Sequence, residues 1–188
     1  MCSCHTGLKQ NTASNFGPAT ADLRHEHDVI LRALAVLERA SERLASGRPG
    51  DEAALQELVE LIRTFADKCH HGKEEHTLFP VLRDKGIGSV LAPFLEEHEE
   101  GRGYLRTIQS GAPPADRAAA ARRYVGMLRG HIERENEVLF PMADGVLSAD
   151  EHAALAKRYA EVEQEVVGPG VHERLLAALD RLEAAIPA

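Results

Sequence analysis

Two short segments of the chain carry metal-binding residue types and end in the same apolar sequence. Residues 70–80 read HHGKEEHTLFP, and residues 131–141 read HIERENEVLFP. In both segments a histidine is followed four residues later by a glutamate, and Leu-Phe-Pro closes the segment. Residues four apart lie on one face of a helix, so an imidazole and a carboxylate at this spacing can chelate one metal ion or bridge two.

Two more histidines stand in matching places before these segments. Glu26-His27 and Glu97-His98 are each followed by a Ser-Gly-x-Pro linker, and each linker is followed by one of the two segments. The pattern indicates an internal repeat of two helical hairpins. Such a repeat would bring equivalent positions of four helices to the middle of one bundle, where their polar side chains would converge.

The elements that must position these residues are helices. Alanine, leucine, glutamate and arginine dominate, aromatic residues make up 4% of the chain and tryptophan is absent, which favours helix over sheet. Gly- and Pro-containing breaks separate four helical stretches, near residues 20–45, 51–83, 88–109 and 115–143. We therefore predict an all-α protein whose core is an up-and-down antiparallel four-helix bundle of two repeated hairpins.

The chain divides into three parts on this interpretation. Residues 1–19 form a flexible leader, residues 20–144 form the bundle, and residues 145–188 form a C-terminal helical extension packed on it. A capping box, Ser148 to Glu151, opens the extension. In the leader, Cys2 and Cys4 can bind a soft metal or belong to a mobile tail. Cys69 is expected to be a small buried apolar residue.

Polar residues interrupt the apolar seam of each of the four helices. Burying unpaired carboxylates costs several kcal/mol, against a total stability of about 5 to 15 kcal/mol, so something must compensate them. A hydrogen-bonded network would suffice for a single histidine, whereas four helices that all insert such residues favour a metal site. The candidate ligands are His27, His70, Glu74, His98, His131 and Glu135.

The neighbouring histidines are assigned by helical geometry. His25 and His76 lie about 200° around the helix from His27 and Glu74, and are expected to face outwards. A shift by one residue, to a pair of His71 and Glu75, is the main competing assignment. The repeat argues against it, because His70 and Glu74, counted back from the Leu-Phe-Pro ending, match His131 and Glu135.

The ligand set is rich in nitrogen and oxygen, which disfavours iron–sulfur clusters, calcium and a cysteine-rich zinc site. Six ligands are more than one tetrahedral zinc ion can coordinate, so a site for two metal ions fits better. Two octahedral irons offer about twelve positions. Two bridging carboxylates, four histidines and an oxo or hydroxo bridge fill about ten and leave about two open.

These motifs resemble the hemerythrin-like, or HHE-type, cation-binding domain over about residues 20–144. The resemblance implies a non-haem centre of two iron ions, oxo- or hydroxo-bridged, held by the six residues above. Oxygen carriers of that family have a further histidine where this chain has Arg102. The difference favours redox chemistry over reversible O₂ carriage. Candidates for a missing ligand are Glu163, His172 and Tyr104.

The function expected from this resemblance is reaction with H₂O₂, other O₂-derived species or nitric oxide, in catalase-like, peroxidase-like or NO-reducing turnover. The alternative is an O₂ or iron sensor, carrier or store without turnover. An electron-donor protein is a candidate partner. A net charge of −8 without a basic cluster argues against nucleic acid and membrane partners, and the lack of an apolar span or signal favours a cytoplasmic protein.

Overall fold

The structure is a computed structural model that describes residues 16–46, 51–166 and 168–186, and every regular element in these ranges is helical. The prediction of an all-α protein is confirmed for this part of the chain. Cys2 and Cys4 of the predicted leader, and residues 47–50 of the first linker, lie outside the described residues.

Four helical segments carry the repeated motifs. Helix α1 is Pro18–Ala45, with proline in its first turn, where a missing N–H costs nothing. Helix α2 covers residues 51–82, helix α3 is Ala92–Gln109 and helix α4 covers residues 114–146. Helix α1 packs against α2 and α4, and α3 packs against the same two helices.

Helices α2 and α4 depart from α-helical geometry in the segments that carry the motifs. The turns Arg63–His71 and Glu74–Leu78 of α2, and Glu135–Leu139 of α4, are π-helical. Wide turns of this kind are rare and are frequently found at functional sites. They change the direction in which successive side chains point within both motifs.

Two further helices, α5 at Ala149–Val166 and α6 at Val171–Ala185, pack on α1 and α2. The predicted capping box is present. The backbone N–H of Ser148 donates to Glu151 Oε2 at 2.9 Å, and the backbone N–H of Glu151 donates to Ser148 Oγ at 3.3 Å. Gly170, with a φ of 68°, precedes α6 in a conformation that favours glycine.

The buried apolar side chains form two clusters along the four helices. One contains Ile30, Leu105 and Leu128, and the other contains Leu23 and Phe140. In α1, His27 lies between Leu23 of one cluster and Ile30 of the other. In α2, α3 and α4, too, the polar residues of the repeated motifs lie between one apolar cluster and the other. Together these polar residues form a layer across the apolar core, which we call the polar layer. In the described ranges, no helix is long and apolar enough to cross a membrane.

Candidate metal centre

The polar layer brings all six predicted ligands together. Each of the six is at most 1% exposed. Their ligand atoms, with those of one further histidine, fall into two groups, each with all atoms within 4.8 Å of one another. The first group is His71, Glu74, His98 and His131, and the second is His27, His70, Glu74 and Glu135.

The two glutamates connect the groups. Glu74 Oε1 lies 3.5 Å from His70 Nε2, and Glu74 Oε2 lies 3.5 Å from His98 Nε2. Glu135 repeats this arrangement, with Oε2 at 3.2 Å from His27 Nε2 and Oε1 at 3.3 Å from His131 Nε2. Each carboxylate therefore presents one oxygen to each side of the layer, the arrangement that a bridging carboxylate needs.

His98 Nε2 and His131 Nε2 lie 3.1 Å apart in the middle of the layer, and six other atoms that face it lack hydrogen-bond partners within the described chain. They are both carboxylate oxygens of Glu74, both of Glu135, and the Nε2 atoms of His27 and His70. A buried polar atom left unsatisfied costs about 1 to 3 kcal/mol, and more if it is charged. Because these atoms are nitrogen and oxygen donors that converge, bound cations are the group that fits them.

The opposite nitrogen of four of these histidines faces an acceptor. His70 Nδ1 lies 2.8 Å from Glu26 Oε2, His98 Nδ1 lies 2.7 Å from Glu75 Oε1, and His131 Nδ1 lies 2.8 Å from Glu97 Oε2. His27 Nδ1 lies 3.0 Å from Asn136 Oδ1, whereas His71 Nδ1 lies 3.8 Å from Asp67 Oδ1 and has no hydrogen-bond partner in the described chain. A proton held on Nδ1 leaves the lone pair of Nε2 free for a metal and fixes the direction of the ring.

These acceptors follow the internal repeat. Glu26 precedes His27 in the chain but accepts a hydrogen bond from His70. In the same way, Glu97 precedes His98 but accepts a hydrogen bond from His131. Glu75 follows Glu74 and serves His98, whereas the equivalent residue, Asn136, is a neutral amide. Sequence reasoning missed this set, although each member is adjacent in the chain to a predicted ligand. Its signal was the repeated Glu-His pair.

Cations hold the acceptor carboxylates in place. Lys73 Nζ lies 2.5 Å from Glu26 Oε1 although its side chain is 4% exposed, and Arg134 donates to Glu97 at the equivalent position of the repeat. Arg102 Nη2 donates to Glu75 Oε1 at 2.6 Å. Paired carboxylates of this kind remain ionised and are good acceptors for the imidazole N–H.

Burial sets the protonation of most of the histidines. It lowers the pKa of His70 to about 4, moves that of His71 well below its usual range and lowers that of His98. These three imidazoles are therefore neutral near pH 7 and available as ligands. His131 differs, since Glu135 and Glu97 outweigh the burial that lowers its pKa and raise it to about 9.

The two glutamates have opposite pKa shifts. Burial raises the pKa of Glu74 well above its usual range, and repulsion from Glu135 adds to the effect. Burial acts in the same direction on Glu135, but His131 and His27 outweigh it and hold its pKa well below the usual range. His131 thus holds a proton near pH 7, the raised pKa of Glu74 favours its protonated form, and a bound cation would compete with protons at both residues.

His71 lies in the layer together with the six residues taken from the sequence. The repeat excluded it in favour of His70, whereas the structure places His70 and His71 in different groups of the same layer, and His71 is 3% exposed. The reason is the π-helical turn Arg63–His71, because the 100° step of a regular α-helix does not hold there. Glu75, its partner in the rejected assignment, instead accepts a hydrogen bond from His98.

The remaining candidates lie outside both groups. Glu163 Oε1 lies 3.1 Å from His172 Nδ1, and Tyr104 donates to Glu100 Oε1 at 2.5 Å. His25 and His76 are exposed. Arg102 pairs with Asp67 and Glu75. The fifth histidine of the layer is therefore His71 of α2, and not a residue at the α3 position that Arg102 occupies.

Comparison with known proteins agrees with this geometry. The model of the hemerythrin HHE cation binding domain matches residues 19–143, and the chain belongs to this family of metal-binding domains. The chain is also 28% identical over 178 residues to uncharacterized proteins of Mycobacterium bovis (strain ATCC BAA-935 / AF2122/97) and Mycobacterium tuberculosis (strains CDC 1551 and H37Rv). These matches cover 86% of this chain and 68% of each relative.

Proposed function

We propose that the polar layer binds two iron ions, with Glu74 and Glu135 bridging them. His71, His98 and His131 hold one ion, and His27 and His70 hold the other. The observation that carries the proposal is that each glutamate presents one unpartnered oxygen to each group of histidines. We also propose that the helices form an up-and-down bundle of two repeated hairpins. The support is that matching residues of the two halves of the repeat make matching contacts around the layer.

The fifth histidine changes the expected number of open coordination positions. Five histidines, two bridging carboxylates and one oxo or hydroxo bridge fill about eleven of the twelve positions of two octahedral ions. The three-histidine side is then complete, and the open position lies on the side of His27 and His70. A small molecule that reacts at the centre would bind there.

Two iron ions in such a site exchange electrons with O₂-derived species or nitric oxide when they are bound, and we propose peroxide or nitric oxide removal as the reaction. The surrounding residues keep bulk water out. The ring of Phe140 stacks on His27 at 5.5 Å and that of Phe79 on His98 at 6.0 Å. The carboxylates behind His70, His98 and His131 make these imidazoles stronger electron donors. A cytoplasmic location and an electron-donor protein as partner belong to the same proposal.

Reversible O₂ binding is the second candidate, and His71 is the observation that favours it. The sequence argument against a carrier was the missing fifth histidine at Arg102, and His71 supplies a fifth histidine from another helix. A sensor or carrier has the same ligands as an enzyme and differs in turnover.

Turnover therefore tests the function. The iron-loaded protein is mixed with an excess of H₂O₂, and separately of nitric oxide, each with and without an excess of a chemical reductant that replaces the electron donor, while consumption is measured per centre. An enzyme consumes many equivalents and a carrier or sensor binds about one. His76→Ala serves as control, since His76 is exposed on the same helix as three of the ligands. Binding of one equivalent without further consumption would overturn the enzymatic proposal in favour of the carrier.

A further inference from the structure

A basic cavity lies between α2 and α3, beside the polar layer. Its volume is about 250 Å³, and its lining contains four cationic side chains and one carboxylate. The lining residues are Arg63, Asp67, Lys68, Arg102, Leu105, Arg106 and Gln109. An excess of three positive charges around one small cavity is unexpected in a chain whose net charge is −8.

The cavity is connected to the candidate ligands through two ladders with a spacing of four residues. On α2 the ladder is Arg63, Asp67 and His71, and on α3 it is His98, Arg102 and Arg106. On α3, which is a regular α-helix, residues four apart lie on one face, so the cavity is one to two turns from His98. Arg102 joins the two ladders, with Nε donating to Asp67 Oδ1 at 2.7 Å and Nη2 donating to Glu75 Oε1 at 2.6 Å.

The cations of this cavity retain donors for a ligand. Arg102 Nη1 lies 3.5 Å from Glu99 Oε2 and makes no hydrogen bond there. Arg63 Nε is buried without a hydrogen-bond partner and lies 3.5 Å from its nearest carboxylate, that of Glu60. Lys68 is exposed, and no carboxylate in the described part of the chain lies within 4.0 Å of it.

A second, larger cavity shows what a balanced lining looks like. It measures about 670 Å³ and lies between α2 and α5. There Lys85 pairs with Glu151 at 2.7 Å, and Arg158 pairs with Glu161 and Glu165 at 3.1 and 3.2 Å. In the basic cavity Arg106 Nη2 likewise donates to Glu99 Oε1 at 3.2 Å, whereas Arg63 Nε has no hydrogen-bond partner in the described chain.

We propose that the basic cavity binds a small oxyanion of the phosphate type, which Arg63, Lys68, Arg102 and Arg106 contact. Guanidinium groups suit this ligand because their planar donors match two oxygens of one anion. The bound oxyanion weakens the interaction of Arg102 with Glu75, the acceptor behind His98. Occupancy of the cavity is thereby coupled to the electronic state of the centre, and this coupling alone rests on the proposed function.

Calorimetric titration of inorganic phosphate into the purified full-length protein, at low ionic strength and with its metal content recorded, tests the site. We expect about one phosphate bound per chain, and at least about tenfold weaker binding in the double variant Lys68→Gln/Arg106→Gln, equivalent to about 1.4 kcal/mol. The matched control, Arg129→Gln/Lys157→Gln, removes one arginine and one lysine that do not line the cavity. No binding, or equal binding by both double variants, would overturn the site.

The source of the oxyanion and the coupling are tested on the same proteins. Stronger binding of a small phosphomonoester than of phosphate would identify the terminal group of a metabolite as the ligand, and the reverse would identify the free ion. In iron-loaded protein, phosphate should shift the near-ultraviolet charge-transfer absorption, and the Lys68→Gln/Arg106→Gln variant should lose this shift. Phosphate binding without a shift would overturn the coupling. Protein that binds phosphate but no metal would overturn the proposed function and leave the oxyanion site standing.

Discussion

Glu26 accepts a hydrogen bond from His70 Nδ1 at 2.8 Å, although its chain neighbour His27 belongs to the same polar layer and is supported by Asn136 instead. Helix α1 therefore contributes to the layer twice, through a ligand atom of His27 and through the acceptor that orients a ligand on α2. The internal repeat does the same with Glu97, His98 and His131. The acceptor behind His27, His70, His98 and His131 thus comes in each case from another helix, which ties the assembly of the site to the packing of the helices.

Glu26→Gln should weaken metal binding by about 10- to 100-fold, because an amide is a poorer acceptor for the His70 N–H than a carboxylate and no longer fixes its tautomer. The affinity is measured by competition with a chelator of known strength. Glu133→Gln is the control, since Glu133 is exposed on α4 between the ligands His131 and Glu135. Equal losses in both variants would show that the orientation of His70 by Glu26 has no role.

His71→Ala should reduce the affinity for one of the two ions by more than about 100-fold. This exceeds the loss expected when only the hydrogen-bond acceptor of a ligand is removed, as in Glu26→Gln. The reason is that His71 is the α2 member of the three-histidine group. Metal content per chain after equilibration with limiting iron measures the change. The comparison variant is His76→Ala, five residues further along the same helix and exposed, which should retain its full metal content. If His71→Ala also kept its full metal content, His71 would not be a ligand, and the ligands would be the six residues that the sequence indicated.

Lys73→Met should lower the free energy of unfolding by about 3 to 5 kcal/mol, because it leaves the buried Glu26 carboxylate without its cation. Lys73 lies 2.5 Å from Glu26 and 3.5 Å from Glu163 of α5, so the loss also loosens the contact between α5 and the layer. Denaturant unfolding measures the difference, with the exposed Lys157→Met as control.

The double variant Lys73→Met/Glu26→Gln refines this test. Glutamine is neutral, so the double variant has no buried carboxylate without a counterion. Its loss in free energy of unfolding should therefore be smaller than the sum of the losses in the two single variants. Simple additivity would contradict the role of Lys73 as the counterion of Glu26.

The stability of metal-stripped protein should fall as the pH is lowered from about 7 to 4. The folded-state pKa of His70 is about 4, below its usual value of 6.5, so the unfolded chain binds more protons in this window and stability rises with pH. His71 and His98 act in the same direction, whereas the raised pKa of Glu74 acts in the opposite direction and offsets part of the effect. His131, whose pKa is raised to about 9, adds stability that is fully present below pH 6.5 and is lost only towards alkaline pH.

Thermal unfolding at a series of pH values between 4 and 7 checks the sign. A melting temperature that stays constant across this window would contradict the burial of neutral imidazoles. A melting temperature that rises on acidification would contradict it more strongly.

The sequence predicted the helices and six residues of the layer because both follow from periodicity. A histidine or glutamate within an apolar seam must be buried, whatever the helix packs against. The repeat set His71 aside in favour of His70 but does not register that this segment is π-helical, and the structure places both histidines in the layer. No residue type in that segment announces the wider turn, so its effect on side-chain direction became visible only in three dimensions.

The acceptors behind the histidines mark another limit of sequence reasoning. Glu75 is next to Glu74 in the chain, but its partner His98 is on another helix, and the pairing depends on how α2 and α3 are rotated against each other. Periodicity gives the buried face of each helix to within about one residue, which is too coarse to match an imidazole nitrogen to a carboxylate oxygen. The repeat could have shown that Glu26 and Glu97 play the same part, without showing for which histidine.

The central claim is that the polar layer is a site for two metal ions, and elemental analysis of the purified full-length protein, with its ultraviolet-visible spectrum, tests it most directly. We predict about two iron ions per chain with charge-transfer absorption in the near ultraviolet, and a loss of both in Glu74→Ala, because Glu74 belongs to both ligand groups. Absence of metal after reconstitution with ferrous iron, or a single zinc ion per chain that persists in Glu74→Ala, would contradict the account.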